Sequence, residues 1–165
     1  MRARRCGICV ALAVIGMVAP AAAQEDAIDP TDPLVEVTRA LPGCPPAVVH
    51  RMDADEARAQ AHSRSQRGTS CYLSGQCRLP NSYLYDREIV PRVQQFLRQD
   101  RRFADTSVWV LGQRRLVTLM GCVHSARQAL DMEQAVILVD DVSGVINHLV
   151  VIDAPGLTEP RRTPP

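Results

Sequence analysis

The chain has 165 residues, with 19 basic and 18 acidic side chains and a formal net charge of +1. That even balance leaves no electrostatic footprint for a nucleic-acid binder. The length allows one domain plus extensions.

The N-terminus reads "MRARRCGICVALAVIGMVAPAAAQED". Arginines precede an apolar run from Ile8 to Val18, and Ala21-Ala22-Ala23 follows as an A-x-A cleavage pattern. This predicts a secretory signal peptide over residues 1–23, cut after Ala23. A membrane anchor fits less well, because spanning needs about 20 apolar residues. Cys6 and Cys9 lie too early to be lipid-modified cysteines behind the apolar run. Cleavage removes Arg2, Arg4 and Arg5, leaving 16 basic against 18 acidic residues, a net of −2.

Residues 24–85 form a predicted N-terminal extension. Gln24 to Pro33 is acidic and proline-containing and reads as a flexible leader. "LVEVTRALPGCPP" is ambiguous, and Pro42 to Pro46 forbids a regular element. In "DADEARAQAHSRSQRG", Asp53 is a predicted N-cap with Glu56 three residues on, and Gly68 is the expected stop. "TSCYLSGQCRLPNSYLY" reads as a loop in which Gly75 permits a tight turn.

The regular pattern occupies residues 86–153. In "DREIVPRVQQFLRQD", Ile89, Val93, Phe96 and Leu97 share a helical face, Asp86 is the predicted N-cap and Pro91 is awkward. "TSVWVLG" and "RLVTLMGCV" read as two strands of a hairpin joined at "GQRR". "SARQALDMEQAVILVDD" reads as a second helix, capped by Ser125 with Gln128 in the reciprocal position and ended by Gly144. Ala129, Met132, Val136 and Val139 share its inner face. "VINHLVVID" is the last strand, and residues 154–165 read as a disordered, proline-rich tail. The predicted fold is α+β: an αββαβ two-layer sandwich, with a three-stranded sheet and two helices on one face, plus the extension with its short helix.

Alternation puts Val108, Val110, Val117, Leu119, Gly121 and Val123 on one face of the hairpin. Trp109, Leu111, Leu116, Thr118, Met120 and Cys122 fall on the other, which is also largely apolar and needs a cover. The extension is the expected cover, with Cys122 as a tether. Gly121 is read as structural, either letting a helix sit close to the sheet or marking a bulge.

The cysteines beyond the signal are Cys44, Cys71, Cys77 and Cys122, an even number that predicts two disulfides in an exported chain. Cys71–Cys77 with Cys44–Cys122 is preferred. Cys44–Cys71 with Cys77–Cys122 would clamp the Ala-rich helix at both ends. Five residues between Cys71 and Cys77 is wide for a zinc pair, and the histidines are scattered, so no metal and no cofactor are expected. The chain lacks G-x-S-x-G, H-E-x-x-H and a Gly-rich phosphate loop, and no enzyme is expected. Cys122 and His124 could share a strand face as a thiol–imidazole pair, but a disulfide role for Cys122 is preferred.

The segments "YDREIVPRVQQFL", "SVWVLGQRRLVTLMGCVHS", "QALDMEQAV" and "VSGVINHLVV" together resemble the BON domain, named for bacterial osmotic-stress and nodulation proteins. "LVTLMGCV" carries the most specific part. Pro91, the "GQRR" turn without small residues and the Gly144-to-Asn147 spacing depart from the usual pattern. So do the cysteine after the glycine and the cysteine-bearing extension, which mark a divergent, disulfide-locked member. The resemblance implies a non-enzymatic periplasmic protein that contacts a phospholipid membrane surface or an envelope protein. Trp109, Arg114 and Arg115 are then the candidate contacts, at a hairpin tip and an adjacent strand. The alternative is a structural or protein-interaction module that docks a partner through the sheet's second face or its edge.

Overall fold

The structure, a computed structural model, describes residues 28–152. The predicted signal peptide and proline-rich tail lie outside the described residues. The element order is β1 (Leu34–Arg39), α1 (Ala54–Leu73), a 3-10 turn (Ser82–Tyr85), α2 (Asp86–Gln99), β2 (Ser107–Gln113), β3 (Leu116–Val123), α3 (Ala126–Val136) and β4 (Gly144–Val151). One sheet runs β1-β2-β3-β4. The β1–β2 and β2–β3 pairs are antiparallel, and β4 returns parallel to β3 through α3.

The sheet therefore has four strands, not the predicted three. The fourth comes from "LVEVTR" in the extension, where Val35 pairs with Val110 and Thr38 with Val108. A bulge between Glu36 and Thr38 breaks its alternation, which is why no clean period-2 signal marks it. The carbonyls around the bulge are not left bare. Gln94 Nε2 donates to Glu36 O at 2.7 Å, and Arg98 Nε donates to Val37 O at 2.9 Å.

Both helices of the αββαβ unit pack on one face. Ile89, Val90, Val93 and Leu97 of α2 and Ala129, Met132 and Val136 of α3 meet Val108, Val110, Val117, Leu119 and Val123 in one core. Burial of each large apolar side chain contributes about 1.5–3 kcal/mol. Val90 replaces Phe96 on the predicted face; Phe96 sits at its margin, 37% exposed. Pro91 lies within α2 without ending it. Ser125 Oγ accepts from Gln128 N at 3.1 Å, while the Gln128 side chain accepts from His124 N, one residue before the cap. The second helix stops at Val136 and not at the predicted Asp141. Turns carry the chain on, with Val139 and Val142 folded against the core. Gly144 consequently does not end a helix but opens β4 opposite Leu116.

Gly68 does not stop α1 either. The helix continues to Leu73, and a Cβ at Gly68 would lie 2.1 Å from Asn81 Oδ1. The missing side chain lets Asn81, which caps the following 3-10 turn, sit against the helix. Asp53 does cap α1, accepting from Asp55 N and Glu56 N at 2.9 and 2.8 Å.

Gly121 works differently from either reading of it. The register on both sides of it is unbroken, so there is no bulge. Its φ is +120°, and a Cβ there would lie 2.1 Å from Ser107 O. The close neighbour is the backbone of β2, not a helix.

The second face is buried at Trp109, Leu111, Thr118 and Cys122. The chain after β1 is fixed to that face. Cys44 is bonded to Cys122, Leu41 N donates to Ser107 Oγ at 2.9 Å, and Met52 and Leu116 line the same hollow. Cys71 is bonded to Cys77. Part of the expected flexible leader is ordered too: Ile28 is 4% exposed and forms a bridge with Arg51.

Two outcomes are expected from this architecture. Gly121→Ala combines a positive φ with a backbone collision and should cost at least about 2–3 kcal/mol in urea denaturation; a loss below about 1 kcal/mol would contradict the geometry. Cys44–Cys122 spans 78 residues and Cys71–Cys77 spans 6, so loop closure gives about 4.5 against about 2.2 kcal/mol. Replacing both cysteines of the long bridge with serine should lower stability by roughly twice as much as replacing those of the short one. Denaturation of the two double variants compares them.

Candidate functional site at the hairpin tip

The turn between β2 and β3 has two residues, Arg114 and Arg115, with φ of 56° and 68°. Both sit where glycine or asparagine is usual in a tight hairpin. What replaces the missing small residues is a carboxylate. Asp86 Oδ2 accepts from Arg114 N at 2.6 Å and Oδ1 from Arg115 N at 2.7 Å. Asp86 is therefore not the N-cap predicted for α2. It is the first residue of that helix, entered directly from the 3-10 turn, and its side chain reaches across to the hairpin.

Asp86 is 1% exposed. Burial pushes its carboxyl up to about 6, with nearby Asp32 adding to the rise and the two backbone donors and Arg64 opposing it.

The two turn arginines diverge. Arg115 points inward: its Nε donates to Asp141 O at 2.8 Å, its Nη1 lies 3.1 Å from Cys77 Sγ, and its guanidinium is 5.0 Å from the Tyr85 ring centre. Arg78 lies 4.9 Å from the same ring and pairs with Glu88 and Asp141. Tyr85 is 1% exposed, with its hydroxyl accepting from Leu79 N at 2.9 Å. Arg115 is thus an internal tie between hairpin and extension, not a surface contact. Arg114 instead lines a hollow of about 210 Å³ between the hairpin and α1.

That hollow carries Arg67, Arg114, Gln60 and Gln113 over an apolar floor of Met52 and Leu116, and no acid lines it. Its back wall is Arg64, which stacks 3.9 Å from the Tyr83 ring and pairs with Asp32 at 2.7 Å and Asp29 at 3.4 Å. Gln113 Nε2 donates to Asp32 Oδ2 at 2.8 Å. A leader residue, α1 and the hairpin thereby share one polar knot. Among the described residues, Arg67 is bonded only to Ser63 of its own helix and the Arg114 guanidinium has no acid partner. The arrangement presents two uncompensated cations and two amides beside an apolar floor, which suits an anionic group attached to something apolar.

Of the residues singled out in the sequence, Arg114 stays at the surface and Trp109 does not. Trp109 is buried, so it offers no interfacial aromatic. Cys122 is bonded to Cys44, and His124 Nε2 faces Asp105, so no thiol–imidazole pair exists. Gly121 and Ser125 do not line the hollow, and Gly144 opens β4 beside Leu116 of its floor. Among the described residues no group of three His, Cys, Asp or Glu is placed to hold a metal ion, and no helix is long and apolar enough to cross a membrane. Arg64, Arg67 and Asp86 were not singled out as site residues. The signal for Asp86 was present: an Arg-Arg turn without glycine needs an outside acceptor for its amides.

Asp86 also sets a pH dependence. Its carboxyl lies near 3.8 when unfolded and about 6 when folded, so the folded state holds the proton more tightly. Stability from this group is full below about 3.8 and is lost as pH rises through about 6, by about 3 kcal/mol. Asp86→Asn should remove that slope. Urea denaturation of both proteins between pH 4 and 7 measures it, and identical slopes would exclude Asp86 as the source.

The family model described as BON domain matches residues 85–153. Comparison with curated proteins gives no match, and neither does comparison with solved structures. The matched residues contain the observed α2, β2, β3, α3 and β4, with β1 and α1 outside them. Residues 85–153 are a BON domain, and the strand that completes its sheet comes from an extension that the match does not cover.

Proposed function

We propose that this protein is a non-enzymatic component of the periplasmic envelope, exported by residues 1–23, whose BON domain contacts phospholipid at the hairpin tip. The observation that carries the reading is the acid-free hollow bearing Arg67 and Arg114. It concentrates positive charge on a protein whose overall balance is near neutral. The apolar floor of Met52 and Leu116 would accept the first carbons beyond a headgroup phosphate. The two disulfides fit an oxidising compartment.

A second reading, docking of an envelope protein, has its own support at β4. That edge strand carries no charged residue and no proline, and its register with β3 is unbroken over eight residues. Ile146 on it is 40% exposed. Leu149 N is bonded to Asn147 Oδ1 at 3.1 Å, so strand addition would fall on the Gly144-to-Asn147 end of this edge.

Co-sedimentation with phosphatidylglycerol vesicles tests the first reading. Each arginine near an anionic surface contributes about 1 kcal/mol, so Arg67→Ala with Arg114→Ala should weaken binding about 30-fold, whereas Trp109→Phe should not. Absence of wild-type binding to these vesicles overturns the lipid reading and leaves the docking one.

A further inference from the structure

We infer that Cys71–Cys77 is a thiol–disulfide exchange site, entered at Cys71 by the thiolate of a low-molecular-weight thiol. The two disulfides of this chain are built differently. Cys44–Cys122 closes a span of 78 residues, and Cys122 is 2% exposed on the covered face of the sheet. A thiolate released at Cys122 would be buried beside apolar neighbours, which disfavours it as a leaving group. Cys71–Cys77 closes a span of 6 residues at the end of α1. Cys71 and Cys44 are both half-buried, and Cys77 and Cys122 are both buried, so exposure alone does not separate the two bonds.

The feature that distinguishes this bond is Arg115. Its Nη1 lies 3.1 Å from Cys77 Sγ. A thiolate formed there meets a guanidinium already at hydrogen-bond distance, held by Asp141 O and the Tyr85 ring. The surrounding cluster is a network of ion pairs. Arg78, Arg92 and Arg115 stand against Glu88 and Asp141. The loop is also closed without its bridge, because Cys71 O accepts from Gln76 N at 2.9 Å and from Cys77 N at 3.2 Å. Reduction therefore opens the bond without dismantling the turn.

The incoming thiolate attacks Cys71 Sγ. A bond forms between its sulfur and Cys71, the Cys71–Cys77 bond breaks, and the electron pair passes to Cys77 Sγ opposite Arg115. A second thiolate attacks the incoming sulfur of that mixed disulfide and releases Cys71, which takes a proton from water. Two thiolates are oxidised to one small disulfide, and the protein bond is reduced to the Cys71 thiol and the Cys77 thiolate, with hydroxide left by the water that protonates Cys71.

The test uses the folded, oxidised protein with reduced glutathione, acid quenching, alkylation and peptide mapping. Cys71–Cys77 should be reduced at least about tenfold faster than Cys44–Cys122, with glutathione trapped on Cys71 and not on Cys77. Arg115→Gln should slow reduction of Cys71–Cys77 about tenfold and leave the Cys44–Cys122 rate unchanged, and Arg115→Lys should restore most of the rate. The unchanged rate of the long bridge reports that the variant is folded. Should Arg115→Gln fail to fold, the wild-type trapping pattern decides. Equal rates for the two bridges, glutathione on Cys77, or a folded Arg115→Gln protein with the wild-type rate would each overturn the proposal.

Discussion

Cys122 projects from the face of β3 that α2 and α3 leave open, and its bond to Cys44 governs what the extension can do. The hairpin supplies apolar residues to both faces, so helices on one side alone would leave Trp109, Leu111 and Cys122 in water. The chain solves this by laying its own upstream segment there. β1 adds to the edge of β2, the following segment is fixed at Cys122, and α1 returns to the hairpin tip. The BON fold and its extension thus form one packed body. The extension supplies most of the hollow at the tip.

The polar knot at that tip follows from the same arrangement. A buried carboxylate is costly unless it is well supplied with donors. Asp86 is used where two backbone amides converge and no glycine eases the turn. Asp32 and Arg64 lie close enough to bias it, so leader, α1 and hairpin are electrostatically coupled. One arginine of the turn is spent on internal ties and the other is left to the surface, which divides a pair that looks equivalent in sequence.

Long-period signals were legible in the sequence, and contacts between distant segments were not. Ile89, Val93, Leu97, Ala129 and Met132 announce their helices by spacing alone, and the alternation of Val117, Leu119 and Val123 places the core face. β1 escaped because six residues with a bulge carry too little periodicity. Gly68 read as a helix stop because a local rule cannot see Asn81 folded against it. Asp86 read as a cap for the same reason: its partners lie 28 and 29 residues away. Trp109 looked available until the covering segment was in place. The hollow was invisible because its two sides come from residues 52–83 and 113–116.

The left-handed backbone at Arg114 and Arg115 says something about what has shaped this chain. A sequence optimised only to fold would put Asn-Gly in that turn, since L side chains bear a conformational cost there. Two arginines at left-handed φ carry a conformational cost, and the buried Asp86 carboxyl offsets it by accepting from both of their amides. The hairpin tip therefore depends on a residue of α2, so the β2–β3 turn and the start of that helix are set together.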